Sequence, residues 1–196
     1  MKKLFLCRHG ETEWSRDGQH TSVTDLPLTP RGEEESHAVA RRIKGKPFDL
    51  VLTSPMIRAR RTCELAGLKG ELCPDAVEWN YGDYEGLTTP EIHKTDPGWT
   101  VFSRETPGGE RADEVGARAD RVIGRALEAE GNVALFSHGH FLRVLAARWI
   151  GLDATWGKAL VLGTAALSVL GFSRGERAIL LWNDQSHFDR VRSGGV

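Results

Sequence analysis

Cysteine is scarce in this chain: Cys7, Cys63 and Cys73 are the only three among 196 residues. Their odd number and their spacing fit neither a zinc site nor a disulfide framework, so reduced, buried thiols are expected. Long apolar runs are missing as well. Leu4-Phe5-Leu6-Cys7 is too short for a signal-peptide core, and no stretch reaches the ~20 residues of a membrane span. A cytoplasmic protein with no membrane partner is therefore the expectation. An excess of either charge is absent too: the formal net charge is -1. That near-neutrality argues against a dominant nucleic-acid role. Lysine is sparse, 7 residues against 19 arginines; guanidinium forks suit phosphate recognition. There is no internal repeat, linker or low-complexity segment.

What is present alternates between strand-like and helix-like stretches. Lys3 to Cys7 reads as a short buried strand. Thr29-Pro30 opens a helix, with Thr as cap and Pro in the first turn, running to about Lys44. Phe48 to Leu52 is a second apolar strand, and Ser54-Pro55 repeats the cap-plus-proline start of a helix reaching about Ala66. The stretch from about 75 to 107 is a long excursion with one short helix after Thr89; such a segment usually covers a site. Glu110 to Glu130 is a helix, Asn132 to Phe136 a buried strand and Phe141 to Ile150 a helix. Ala165 to Phe172 and Ala178 to Trp182 form a hairpin around Ser173-Arg174-Gly175-Glu176. Strands separated by helices imply an α/β sheet with helices on both faces.

Four groups of residues could carry chemistry. Arg8-His9-Gly10 follows the first strand directly, where ligands bind in open α/β sheets. Ser137-His138-Gly139-His140 follows the strand ending at Phe136 in the same way; if those strands are neighbours, His9 and His138 reach one pocket. Arg58 lies in the first turns of the helix after Ser54-Pro55, where a helix N-terminus and a guanidinium both favour an anion. Arg60 and Arg61 read as surface residues. Glu78, Asp83 and Glu85 fall within Glu78-Trp79-Asn80-Tyr81-Gly82-Asp83-Tyr84-Glu85-Gly86, and spacing alone does not choose among them as a general acid.

Together these elements resemble the histidine phosphatase superfamily, whose members include cofactor-dependent phosphoglycerate mutases. The resemblance runs in order through Arg-His-Gly at 8–10, Ser-Pro with Arg-Ala at 54–59, the Glu78 to Gly82 segment and Ser-His-Gly at 137–139. A closer likeness to acid phosphatases and sugar-bisphosphate phosphatases shows in Thr12-Glu13-Trp14-Ser15 and Thr24-Asp25-Leu26-Pro27-Leu28-Thr29. It shows again in Tyr81-Gly82-Asp83-Tyr84-Glu85-Gly86 and Ser137-His138-Gly139-His140. The resemblance implies a three-layer α/β/α sandwich with a mostly parallel central sheet, phosphoglycerate mutase-like, as one domain over residues 1–196.

It also implies chemistry. His9 would be the nucleophile, forming a phosphohistidine and splitting one difficult displacement into two. The proton acceptor on its other ring nitrogen is not readable. Arg8, Arg58 and His138 would neutralise the phosphoryl charge, with no metal and no cofactor. Glu78 would protonate the leaving group and then serve as base toward water. Ser15, Thr21, Ser22, Tyr81 and Gly139 would contact the substrate; many relatives carry Gly where Ser22 stands.

The implied reaction is hydrolysis of small phosphorylated metabolites such as sugar phosphates. A mutase-like phosphotransferase is the alternative. Mutases carry Arg where Trp79 stands, and a longer excursion with paired basic residues; here Thr89 to Pro107 offers only Lys94 and Arg104. Two further readings are weaker. A non-catalytic phospholigand module would lack the nucleophile or the acid, and a metallophosphatase using His138 and His140 has no matching carboxylate cluster. Oligomeric state leaves no mark on the sequence.

Overall fold

The computed structural model describes residues 2–188. Twelve helices and strands follow one another: β1 (Leu4–Arg8), α1 (Glu13–Asp17), α2 (Pro30–Ile43), β2 (Leu50–Thr53), α3 (Ile57–Leu65), β3 (Glu71–Leu72), α4 (Thr89–Ile92), α5 (Ala112–Glu128), β4 (Val133–Ser137), α6 (Gly139–Trp149), β5 (Leu167–Ser173) and β6 (Glu176–Asp184). The strands make one sheet in the order β3-β2-β4-β1-β5-β6. β1, β2, β3 and β4 run parallel, and the β5–β6 hairpin adds antiparallel to β1. The expected mostly parallel, three-layer architecture is therefore what the chain forms.

Side-chain alternation sorts the strands between two cores, because successive residues point to opposite faces. Leu4, Leu6, Val133 and Leu135 face α5, α6 and the excursion, where Trp79, Trp99 and Phe102 are buried. Phe5, Cys7, Ala134 and Phe136 face α2 and α3. A central parallel sheet covered on both sides needs this double apolar character. The three thiols are free and buried, and burial pushes Cys63 up to about 12.

Register then places the chemistry. β1 pairs with β4 so that Arg8 lies opposite Ser137, and the next residues are His9 and His138. β2 flanks β4 on its other side, and the Ser54 N–H donates to the Phe136 carbonyl at 2.9 Å. Three neighbouring strands thus release His9, His138 and Ser54 at one level. The loop after β1 is pressed against the start of α2. A Cβ on Gly10 would stand 2.3 Å from the Gly32 carbonyl, and one on Gly32 would stand 2.1 Å from the Glu11 carbonyl. Thr29 caps α2 as expected, accepting from the Gly32 N–H at 3.0 Å.

Local chemistry moves several boundaries. α3 begins at Ile57, and its cap residue Met56 makes no side-chain cap bond. Ser54 lies two residues before that cap, and its Oγ accepts from the Met56 N–H at 3.3 Å and from His138 Nε2–H at 2.8 Å. α6 begins at Gly139, two residues before the expected start. α1 and the two-residue β3 have too little apolar periodicity to register in the sequence.

Candidate active site

His9 is 4% exposed at the carboxyl end of β1, and its Nδ1 lies 2.7 Å from the Gly10 carbonyl. A carbonyl only accepts, so Nδ1 carries the proton and Nε2 keeps its lone pair. Burial, followed by the charges of Arg58 and Arg8, holds the ring well below the usual imidazole range and hence neutral. Gly10 is thus the acceptor that sequence reasoning does not name. The signal is a backbone atom, which no residue pattern encodes.

Arg8 donates from Nη1 to the Leu162 carbonyl at 2.7 Å, while its buried Nε has no partner among the described residues. Arg8 and His9 line one cleft, and a guanidinium in that wall suits an anion's oxygens.

His138 sits behind His9, their ring centroids 5.3 Å apart. Arg58 Nε donates to its Nδ1 at 3.2 Å, leaving Nε2–H to donate to Ser54 Oγ at 2.8 Å. Burial, then the charge of Arg58, holds His138 well below the imidazole range. It is therefore a neutral donor, where the sequence counts it as a positive charge. Arg58 is fully buried and also donates to the carbonyls of Thr21, Ser22 and Thr24. Its charge is close by, but its N–H groups are spent on tying the loop over the site.

Glu78 is buried at the N-terminus of α6. Its Oε1 accepts from the Trp79 and Phe141 N–H groups at 2.9 and 2.8 Å, and its Oε2 from the His140 N–H at 3.1 Å. Arg118 on α5 holds the segment that carries it. That guanidinium donates to the carbonyls of Asp75, Val77 and Glu78 while pairing with Glu110 at 2.8 Å. Of the competing acids, Glu85 accepts from the N–H groups of Ser22 and Thr24 and is a loop clamp.

These groups converge on a cleft of about 260 Å³. Of the residues expected at the site, Arg8, His9, Ser15, Thr21, Glu78, Tyr81 and Gly139 line it. Arg58, His138 and Ser22 lie behind the lining. Ser22 cannot offer its backbone N–H to a phosphate, since Glu85 takes it. Ser15 also forms the reciprocal cap of α1 with Thr12. Gln19, His20, Thr89, His140, Arg143 and Leu162 complete the wall. Of these, His140 had figured only as a metal-ligand candidate. Arg143 has a faint signal, standing one helical turn after Gly139; Gln19, His20 and Leu162 lie on irregular backbone with none. Among the described residues, no three His, Cys, Asp or Glu side chains converge as a metal site, His138 and His140 included.

The profile of the histidine phosphatase superfamily (branch 1) matches residues 4–185. The chain belongs to this superfamily. Among histidine phosphatase relatives, an acid phosphatase of Mycobacterium tuberculosis is 36% identical over 197 residues, covering 98% of this chain and 97% of its own length. A sedoheptulose 1,7-bisphosphatase of Saccharomyces cerevisiae is 35% identical over 185 residues, 76% of this chain and 68% of its own. A solved Mycobacterium tuberculosis structure superposes with a TM-score of 0.89 at 36% identity, covering 93% of this chain and 97% of that one.

Proposed function

We propose that this histidine phosphatase is a phosphomonoesterase of small phosphorylated metabolites, working through a phosphohistidine on His9. The observation that carries the reading is the neutral His9 ring, its Nδ1–H held by the Gly10 carbonyl, in a cleft that Arg8 and Glu78 also line. The names of the acid phosphatase and bisphosphatase relatives support the same reaction class.

In the proposed cycle Nε2 attacks phosphorus while Arg8 donates to the equatorial oxygens, where the charge of the transition state gathers. His138, whose Nε2–H is held by Ser54 Oγ, packs its neutral ring against His9. Arg58 contributes its field and positions both His138 and the 21–24 loop. Glu78 gives its proton to the departing alkoxide. The carboxylate then takes a proton from the water that attacks phosphorus, and the P–N bond breaks.

Hydrolysis is favoured over a mutase because the excursion brings no cation to the cleft. Arg104 is paired with Asp96, Trp79 is buried in the core, and Lys94 is not among the lining residues. No helix among the described residues is long and apolar enough to cross a membrane; we take the protein to be one cytoplasmic domain that needs no cofactor, metal or nucleic acid.

The test is a panel of phosphate esters assayed with and without chelator, alongside His9→Ala. Wild type should release phosphate from several esters and label at His9. His9→Ala should lose at least ~1000-fold in kcat, the scale on which catalytic nucleophiles count. Retained turnover in His9→Ala, or label on another residue, would sink the proposal.

A further inference from the structure

Resting on the phosphatase reading, we infer that Arg143 is a specificity-determining residue for a second anionic group, so that the preferred substrates are phosphate esters bearing another phosphate or a carboxylate. Two arginines line the cleft, Arg8 and Arg143, against one acid, Glu78. Arg8 serves the nucleophile's end. Arg143 has no such employment, yet its position is elaborately fixed.

Three separate segments hold it. From α6, Gly139 and Arg143 are four residues apart and share a face. The excursion supplies Phe102, whose ring centroid lies 4.6 Å from the guanidinium carbon. The turn after α6 supplies carbonyls: Nε donates to Gly157 at 3.0 Å and Nη2 to Lys158 at 3.4 Å. That turn can approach only because residue 157 is glycine, since a Cβ there would stand 2.7 Å from the Phe102 ring.

None of these partners is an anion. Arg143 makes no carboxylate pair among the described residues, whereas Arg111, Arg118, Arg121, Arg125 and Arg148 all do. Glu78 lends Arg143 its field but makes no ion pair with it, because its acceptors are turned to three backbone N–H groups. A half-buried cation that is rigidly held, with the field of Glu78 but no ion-pair partner among the described residues, is built to receive an anion.

The spacing fits a small molecule. Four residues of α-helix advance about 6 Å, and helical side chains lean back toward the N-terminus. A phosphoryl group at His9 therefore leaves room for a short carbon chain before the second anion meets Arg143. The cleft of about 260 Å³ is of that size.

Matched esters test this. Glycerol 3-phosphate and 3-phosphoglycerate differ by a carboxylate; fructose 6-phosphate and fructose 1,6-bisphosphate differ by a phosphate. Wild type should favour the doubly anionic member of at least one pair, and that pair identifies the second group. Arg143→Met keeps the stem over Phe102 and removes the charge. It should lower kcat/KM for the doubly anionic ester about 10- to 100-fold, mainly through KM, the scale of a lost charged hydrogen bond. The singly anionic partner should change little, which also shows that the variant is folded, and Arg143→Lys should recover part of the loss. Equal losses on both members of each pair, or a wild type without preference in either, overturn the inference. Absence of hydrolysis of every ester, p-nitrophenyl phosphate included, instead overturns the phosphatase reading beneath it.

Discussion

At the scale of single residues, the site works by assigning protons. His9 and His138 are both neutral, yet they are opposite tautomers. The Gly10 carbonyl fixes a proton on Nδ1 of His9, while Arg58 occupies Nδ1 of His138 and leaves its proton on Nε2. As the proposed nucleophile, His9 therefore needs no base. Since burial lowers the proton affinity of His9, acidification below the ordinary imidazole value of 6.5 should leave it active. The acidic limb of kcat/KM against pH is accordingly expected well under 6.5, and a limb at 6.5 abolished by raising pH would contradict the assignment. Glu78 makes a separable prediction. Glu78→Gln should slow hydrolysis of alkyl phosphates about 100- to 10,000-fold, the range for lost general acid catalysis. It should slow p-nitrophenyl phosphate much less, because that leaving group departs without a proton. Equal losses on both would make Glu78 a structural residue.

At the scale of elements, Glu78, the proposed catalytic acid, is held by a helix distant in sequence. Arg118 of α5 gathers the carbonyls of Asp75, Val77 and Glu78 and one carboxylate. Arg118→Met would leave those carbonyls without that donor and Glu110 with only the Asn80 N–H. A loss of about 3–5 kcal/mol in a urea titration is expected, as for breaking a buried pair from one side. The kcat for alkyl phosphates should fall as well; a variant with wild-type kcat would show that Glu78 is held by α6 alone. Such long-range staples explain what sequence could and could not reveal. Arg8-His9 and Ser137-His138 were legible because apolar runs locate strands, and a residue following a strand has a known address in an α/β sheet. Arg118 and Arg143 were not, because a helical arginine reads as solvent-facing until the tertiary partner is known. Ser54 was misread for a related reason: the cap signature is local, while the competing partner, His138, comes 84 residues later. Leu162 contributes only its carbonyl, which is independent of residue type.

At the scale of the molecule, three imidazoles lie close together, His9 and His138 buried and His140 half-buried, each held well below its ordinary value, first by desolvation. The unfolded chain binds protons that the folded chain refuses. The stability these groups confer is complete above about pH 6.5 and is lost as pH falls toward their folded values, at up to about 1.4 kcal/mol per pH unit for each histidine. The midpoint of urea unfolding should therefore fall between pH 7 and pH 5, and His140→Gln should make that fall shallower. A midpoint that rises over this interval would contradict the burial of neutral rings.

The bond from Nδ1–H to the Gly10 carbonyl has one more consequence, for the lifetime of the intermediate. Because that proton never leaves, phosphorylation at Nε2 produces a phosphorylated imidazolium, whose positive ring is a good leaving group. The fold thus keeps its own intermediate unstable and returns the starting tautomer when the P–N bond breaks. Unfolded in alkali, the same ring sheds the Nδ1 proton and becomes a poor leaving group. The phosphoryl adduct should be fleeting in the native enzyme and durable after a basic quench.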